Sequence, residues 1–283
     1  MSDRPNIRLP ILLVTGALIV AGLIAGLGSG TATAEKKRIV PTPNRGAEET
    51  RAARRLANAF AANGRWVQRA TFSTLPPFSD PAAISTKRLA GFPRHGDSFA
   101  ILANGDVKLA DDKSTSESTS SQLGGPTIRG ARDVVIHRTL LRVPKDANCL
   151  SIRFRFLTEE FPEFVNDIYN DAFIAELDVS NWDTSGKGDP RLNAPGNFAF
   201  DAKGNPITVN AVGDASVTRR RARGTTYDGA TRILRASTRV TAGQHILYLS
   251  IFDQGDRDYD SAVFLDRLTI NSREPCKSGA VRD

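Results

Sequence analysis

The chain has 283 residues, with 38 Lys and Arg against 31 Asp and Glu, a formal net charge of +7 and two cysteines. That length is ample for one large core or two small ones. Few aromatics lie between the dispersed arginines, which argues against a nucleic-acid partner; three scattered histidines without zinc spacing, and no Gly-x-Ser-x-Gly elbow, P-loop or dinucleotide fingerprint, argue against the common enzyme classes.

Arg4 and Arg8 precede an uncharged run from Leu9 to Gly28 and a small-residue exit at Ala32-Thr33-Ala34. These are the three parts of a secretory signal peptide, with cleavage expected after Ala34. Uncleaved, residues 9–28 are long enough to serve as a signal anchor. Both outcomes place the rest of the chain outside the cytoplasm, extracellular or at the cell surface, and limit membrane contact to that segment.

Residues 35–47, with Pro41, Pro43 and Gly46 among charges, read as a linker. From Glu48 to Ala62 the residues Ala52, Leu56, Ala59 and Phe60 recur at helical spacing with Arg51, Arg54 and Arg55 opposite, predicting a short amphipathic helix. Strands are expected at Trp66–Phe72, Ser98–Leu102 and Asp106–Leu109, with Asn104-Gly105 as a hairpin turn between the last two. A polar loop, Lys113–Gln122 followed by Gly124-Gly125-Pro126, separates this N-terminal portion, residues 48–130, from the main β region at 131–272.

In that region strands are expected at Val134–Val143, Leu150–Leu157, Ala172–Leu177, Ile207–Asn210, Arg232–Ala236, His245–Phe252 and Ala262–Ile270. Leu150, Ile152, Phe154 and Phe156 alternate with Ser151, Arg153 and Arg155, so one face is buried and the other wet. The fold class is therefore all-β: an antiparallel two-sheet sandwich of jelly-roll type. Residues 273–283 read as a tail. Cys149 and Cys276 flank the most strand-like part and, in an oxidising compartment, are expected to form a disulfide worth roughly 4 kcal/mol in the chain-entropy model. The cluster Arg219, Arg220, Arg221 and Arg223 reads as solvated surface, with anionic lipid, wall polymer or acidic glycan as the alternative.

Two acidic segments stand out, Thr158–Phe173 and Asp253–Asp266, each setting carboxylates and amide oxygens at the mouth of an apolar strand. Brought together, they would offer an all-oxygen pocket for a hard cation, calcium first. The spacing of Asp253, Asp256, Asp258 and Asp260 is not that of an EF-hand, since no helix flanks it and the terminal Glu is missing.

The run Glu159-Glu-Phe-Pro-Glu-Phe-Val-Asn-x-x-x-Asn-Asp-Ala-Phe173, then Tyr227-Asp-Gly-Ala-Thr-x-x-Leu234, then Asp253-x-x-Asp-x-x-Tyr-Asp-Ser-Ala-Val-Phe-Leu265 resembles the choice-of-anchor L domain of exported bacterial proteins over roughly residues 130 to 272. Gly96–Asp106 and the Glu48–Ala62 helix resemble that family's N-terminal part more weakly. The resemblance implies a secreted or surface β-sandwich without an established catalytic activity. By the matched motifs, Glu160, Asp171, Asp253, Asp256 and Asp260 are the expected calcium ligands, with Asn170 positioning its loop or adding a carbonyl.

The expected function is an exported, non-catalytic extracellular module, calcium-stabilised, acting in surface attachment or recognition of a cell-surface polymer, a glycan or an extracellular protein. A glycan-binding module is the alternative, with Trp66, Trp182, Tyr169 and Tyr259 as candidate stacking residues. A glycoside hydrolase using a pair among Glu159, Glu160, Glu163, Asp256 and Asp260 is the third class.

Overall fold

The computed structural model describes residues 37–43, 46–114, 120–185, 188–189, 191–273 and 275–283. The candidate leader, its cleavage site and the anchor at residues 9–28 lie outside the described residues. Among the described residues no helix is long and apolar enough to cross a membrane.

In chain order the elements are β1 (Ile39–Pro41), α1 (Gly46–Phe60), β2 (Val67–Thr74), β3 (Ala82–Ser85), β4 (Phe99–Ala103), β5 (Arg132–Val143), β6 (Cys149–Thr158) and β7 (Ala172–Leu177). Four short strands follow, β8 (Asp183–Thr184), β9 (Leu192–Asn193), β10 (Ile207–Thr208) and β11 (Gly229–Ala230). Then come β12 (Leu234–Arg239), β13 (Gly243–Asp253), β14 (Ser261–Asn271) and β15 (Gly279–Arg282). One antiparallel sheet runs β1-β3-β4-β14-β6-β12-β15, with β11 added on β6; the other runs β10-β7-β13-β5-β2; β8 and β9 form a separate ribbon.

The sandwich follows from alternation. Leu150, Ile152, Phe154 and Phe156 of β6 point at Phe173 and Ala175 of β7 and Leu247, Leu249 and Ile251 of β13, forming one core between the two sheets. Phe154 and Phe173 meet across it with ring centroids 5.0 Å apart. A second cluster covers part of the outer face of the first sheet, where Phe92, Phe99 and Phe264 pack together.

Helix α1 follows its predicted periodicity except that Ala59 is only half-buried and Ala53 and Ala57 complete the inner face. Ala52, Ala53, Leu56, Ala57 and Phe60 are buried, whereas Arg51, Arg54 and Arg55 are exposed. Its inner face joins the main core. There the buried His137 of β5 lies edge-on to Phe60 and Phe72, and its Nε2 is 3.0 Å from the Ala53 carbonyl oxygen.

Several boundaries differ from expectation. Asp106–Leu109 is not a strand: Asp106 accepts from the Lys108 amide and caps a 3-10 turn, Val107–Leu109, so Asn104-Gly105 closes no hairpin. The expected linker contains β1, which pairs with β3, and the expected tail contains β15, which pairs with β12. The N-terminal portion contributes strands to both sheets, β2 pairing with β5 and β4 with β14, and residues 37–283 form one unit. The Cys149–Cys276 disulfide is present, closing 127 residues and tying the start of β6 to the segment leading into β15.

Candidate functional site

The candidate site is the end of the sandwich core. In each of five strands the inward alternation of apolar residues continues one or two steps past the last hydrophobic side chain and lands on a polar one. On β4, Ala100 and Leu102 lead to Asn104; on β6, Phe154 and Phe156 lead to Thr158 and Glu160. Read towards their N-terminal ends, β7 leads from Ala175 and Phe173 to Asp171, and β14 from Leu265 and Val263 to Ser261. On β13, Leu249 and Ile251 lead to Asp253. A register shift between Ile251 and Asp253 sets Asp253 opposite Arg132, the kind of irregularity that re-aims a side chain at a strand end. All six of these polar residues are buried.

Main-chain bonds lock the layer. The Glu159 amide donates to the Asp260 carbonyl at 3.1 Å, the Asn104 amide to the Ser261 carbonyl at 3.1 Å and the Asn170 amide to the Gln254 carbonyl at 3.4 Å, so the two acidic segments are joined to each other and to the end of β4. Asn104 is the hub. Its Nδ2 donates to Asp171 Oδ2 at 2.7 Å, and its Oδ1 accepts from the Ser261 amide at 2.6 Å. The Asp171 amide in turn donates to both oxygens of Glu160, at 3.2 and 3.1 Å.

These carboxylates are short of counter-charge. Glu160, Asp171 and Asp253 are 1%, 0% and 2% exposed, and Asp171 Oδ1 and Asp253 Oδ1 have no hydrogen-bond partner. Arg132, beside Asp256, donates to the Gly255 carbonyl at 2.8 Å, and Arg257 is engaged with Asp133 and the Gly125 carbonyl. Among the described residues no Lys, Arg or His side chain forms an ion pair with Glu160, Asp171, Asp253, Asp256 or Asp260. Burial, with the neighbouring Asp171 and Asp256 charges adding to it, holds the Glu160 carboxyl well above the usual range. Asp171 and Asp253 are raised well above theirs for the same first reason, Asp253 also feeling Asp171, Asp256 and Glu160.

The expected ligands thus divide. Glu160, Asp171 and Asp253 come together at the core end, with Asp256 half-buried on the loop at its rim. Asp260 faces the other side of β14, where its Oδ2 accepts from the Ser121 amide and hydroxyl at 3.0 and 2.7 Å. The Asn170 side chain accepts from Asn210 at 3.1 Å. Among the described residues no group of three or more acidic, His or Cys side chains is arranged to hold a metal ion by itself. Asn104, the hub, is hidden in the sequence because Asn104-Gly105 reads as a turn; the signal for it is the inward parity of Ala100 and Leu102.

Of the candidate stacking residues, Trp182 is wholly buried: it stacks on Phe252 with centroids 4.0 Å apart and donates to Ser250 Oγ at 3.1 Å. Trp66 packs against the main core. Both are structural. Tyr169 and Tyr259 instead gather on Phe164, at 5.5 and 4.6 Å between centroids, and all three are partly exposed beside the acidic layer. Tyr259 holds a left-handed φ of 66°, a conformation bulky side chains rarely adopt.

Fold and site together define an antiparallel β-sandwich whose core ends in a buried acidic layer. The chain belongs to the choice-of-anchor L family: that domain's model matches residues 100–271. The match takes in the expected span from about residue 130 and also β4 and Asn104, within the Gly96–Asp106 stretch of weaker resemblance. No curated protein matches the chain. Among solved structures, that of TmCBM61 in complex with beta-1,4-galactotriose covers 72% of this chain and 88% of its own, at 8% identity and a TM-score of 0.29.

Proposed function

We propose that the chain is an exported, non-catalytic module of the cell surface whose acidic core end takes calcium, and that it acts in surface attachment or recognition. The surface location is what membership of a choice-of-anchor family implies. The observation that carries the calcium reading is the burial of Glu160, Asp171 and Asp253 without a cationic side chain paired to them among the described residues, with two unpartnered oxygens among them. An ionised carboxylate buried without counter-charge costs several kcal/mol, so these acids either keep protons or share a cation.

Calcium accepts six to eight oxygens in irregular geometry and takes carbonyls and water alongside carboxylates. Glu160, Asp171, Asp253 and Asp256 would hold it, with Asn170 and Asp260 bordering them. Since these acids do not form a metal-holding group unaided, carbonyl oxygens and water would complete the shell. The cation would supply charge balance and loop ordering. A glycosidase reading fits less well, because such pairs must flank an open cleft and Glu159 and Glu160 are 2% and 1% exposed.

Thermal unfolding of the chelated protein, titrated with calcium and then magnesium, tests the reading. A ligand held only by the folded state at a hundred times its Kd adds about 2.7 kcal/mol, or roughly 5 to 10 °C for a domain of this size. Calcium should raise the melting temperature, magnesium should not, and Asp253→Asn should abolish the response; an intact protein indifferent to calcium would sink the idea.

The partly exposed trio Phe164, Tyr169 and Tyr259 favours a second reading, a glycan platform on the same acidic segments. Binding on a neutral-oligosaccharide array that Tyr259→Ala and Phe164→Ala both lose, with the calcium response intact, would establish it.

A further inference from the structure

Arginines collect on the outer face of the first sheet, away from the acidic end. Arg153 and Arg155 alternate outward on β6, and Arg153 stands directly across from Arg235 on β12. Like charges in that cross-strand position are destabilising. Arg94 and Arg221 reach Arg155 electrostatically from the flanking loops, and Arg273 reaches Arg235 from beyond β14.

The local anions do not balance this charge. Asp266 stands across from Arg153 and offsets part of it, but its oxygens are taken by the Arg94, His95 and Arg267 amides, and it is one carboxylate beside six arginines. Asp214 accepts from the Arg282 amide at 3.2 Å. Among the described residues the Asp283 side chain alone forms ion pairs with these guanidinium groups, 2.6 Å from Arg153 Nε and 3.8 Å from Arg94 Nη2. Arg155 spends Nη1 on the Ala90 and Arg221 carbonyls, while its Nε, Arg153 Nη1 and Arg235 Nε are buried without a hydrogen-bond partner. Burial, then the Arg221 and Arg94 charges, bring the Arg155 pKa down to about 10, so it remains a cation at neutral pH.

We propose that this arginine face is a docking surface for a carboxylate-bearing polysaccharide. Three observations choose the partner. Asp283 already seats one carboxylate between Arg153 and Arg94, and guanidinium groups are matched to that planar anion. The positive stripe is long: the Arg273 amide bonds Asn148 at the start of β6, Arg155 lies near its other end, and the strand between spans about 20 Å at 3.3 Å per residue. A single small anion cannot bridge that length, but a polymer with repeating charge can. A lipid surface would call for apolar groups to insert, and Val281, opposite Arg235, is the exposed large hydrophobic that the face offers.

The face is separate from the acidic core end, so the test is run in chelator, where the two sites cannot be confused. Immobilised hyaluronan is the carboxylate probe, dextran its uncharged control and phosphatidylglycerol vesicles the lipid arm. The protein should bind hyaluronan and not dextran, with affinity falling about tenfold or more as salt is raised past the physiological range. Arg94 and Arg273 are exposed, so Arg94→Gln/Arg273→Gln should leave the melting temperature in place and weaken binding at least tenfold. Asp283→Asn, which removes the internal carboxylate, should tighten it. Failure to bind hyaluronan, an unchanged affinity in the double variant, or vesicle binding as tight as hyaluronan binding would each overturn the proposal.

Discussion

His137 should make the helix-to-sheet contact fail in acid. Its ring is fully buried between Phe60 and Phe72, and its Nε2 meets the Ala53 carbonyl while Nδ1 lies 3.3 Å from Thr139 Oγ1. The neutral tautomer with a proton on Nε2 satisfies both contacts; a second proton on Nδ1 would face a hydroxyl in an apolar pocket. Burial lowers its pKa from 6.5 to about 4, the Ala53 bond opposing only in part. The folded state therefore binds this proton less readily than the unfolded one, and stability is whole above the unfolded value and lost as pH falls towards the folded one. From these two values the loss between neutral pH and pH 5 is about 2 kcal/mol, or roughly 4 to 8 °C in melting temperature. The buried acids shift stability in the opposite sense, so the quantity to measure is the difference between wild type and His137→Gln. That variant cannot titrate and keeps a donor for Ala53. It should be less stable at neutral pH but lose less on acidification, by about 2 kcal/mol at pH 5. Parallel pH profiles for the two proteins, or an imidazole that titrates near 6.5 by NMR, would refute the reasoning.

Two further outcomes follow from the acidic end. A Cβ on Gly105 would stand 2.0 Å from Asp260 Oδ2 and 2.1 Å from its Cγ. Gly105→Ala should therefore expel Asp260 from its Ser121 donors and cost on the order of 1 to 3 kcal/mol, read by denaturant unfolding, whereas Gly204→Ala, which meets nothing within 4 Å, should cost only the strain of its left-handed backbone. Asp260 has its pKa pushed up to about 7, first by burial and then by the Asp133 and Asp106 charges. Its protonated form favours folding, so in chelator stability should fall as pH rises from about 4 to 7, and Asp260→Asn should flatten that limb.

The strands were legible where alternation is clear: β6 carries Leu150, Ile152, Phe154 and Phe156, and β13 Leu247, Leu249 and Ile251, at every second position, and a one-residue slip would turn the whole set outward. β5 and β14 were legible from their run of apolar and β-branched residues, since β5 interposes His137 and Thr139 and β14 changes parity at a bulge between Asp266 and Thr269. Helix α1 was legible for the same reason at a period of 3.6. The short edge strands were not. β1 holds only Ile39–Pro41 and β15 only Gly279–Arg282, and both form because a longer neighbour offers a free edge, not because their own residues demand it. Asp106–Leu109 failed in the opposite direction, since four residues of alternating polarity suit a 3-10 turn equally well once Asp106 caps it. The aromatics misled for a different reason. Trp182 and Tyr259 look alike in sequence, and only the fold decides that one stacks in a satellite core while the other stands beside the acids.

The acidic layer was legible as composition but not as geometry, and the difference bears on function. Carboxylates flanking a loop usually turn to water, where each costs little. Here Glu160, Asp171 and Asp253 occupy the inward parity of their strands, so the pleat that buries Phe156, Phe173 and Ile251 buries them as well. Turning any of them outward would require a register change that moves the hydrophobic set with it. The same bonds that join β4, β6, β7, β13 and β14 at this end therefore hold the acids in place against their own desolvation. A fold that pays this cost with apolar alternatives at hand gains from something that relieves it. A retained proton relieves it one acid at a time, while a divalent cation would relieve several at once and tie the two acidic segments, and the aromatic trio they carry, into one rigid surface.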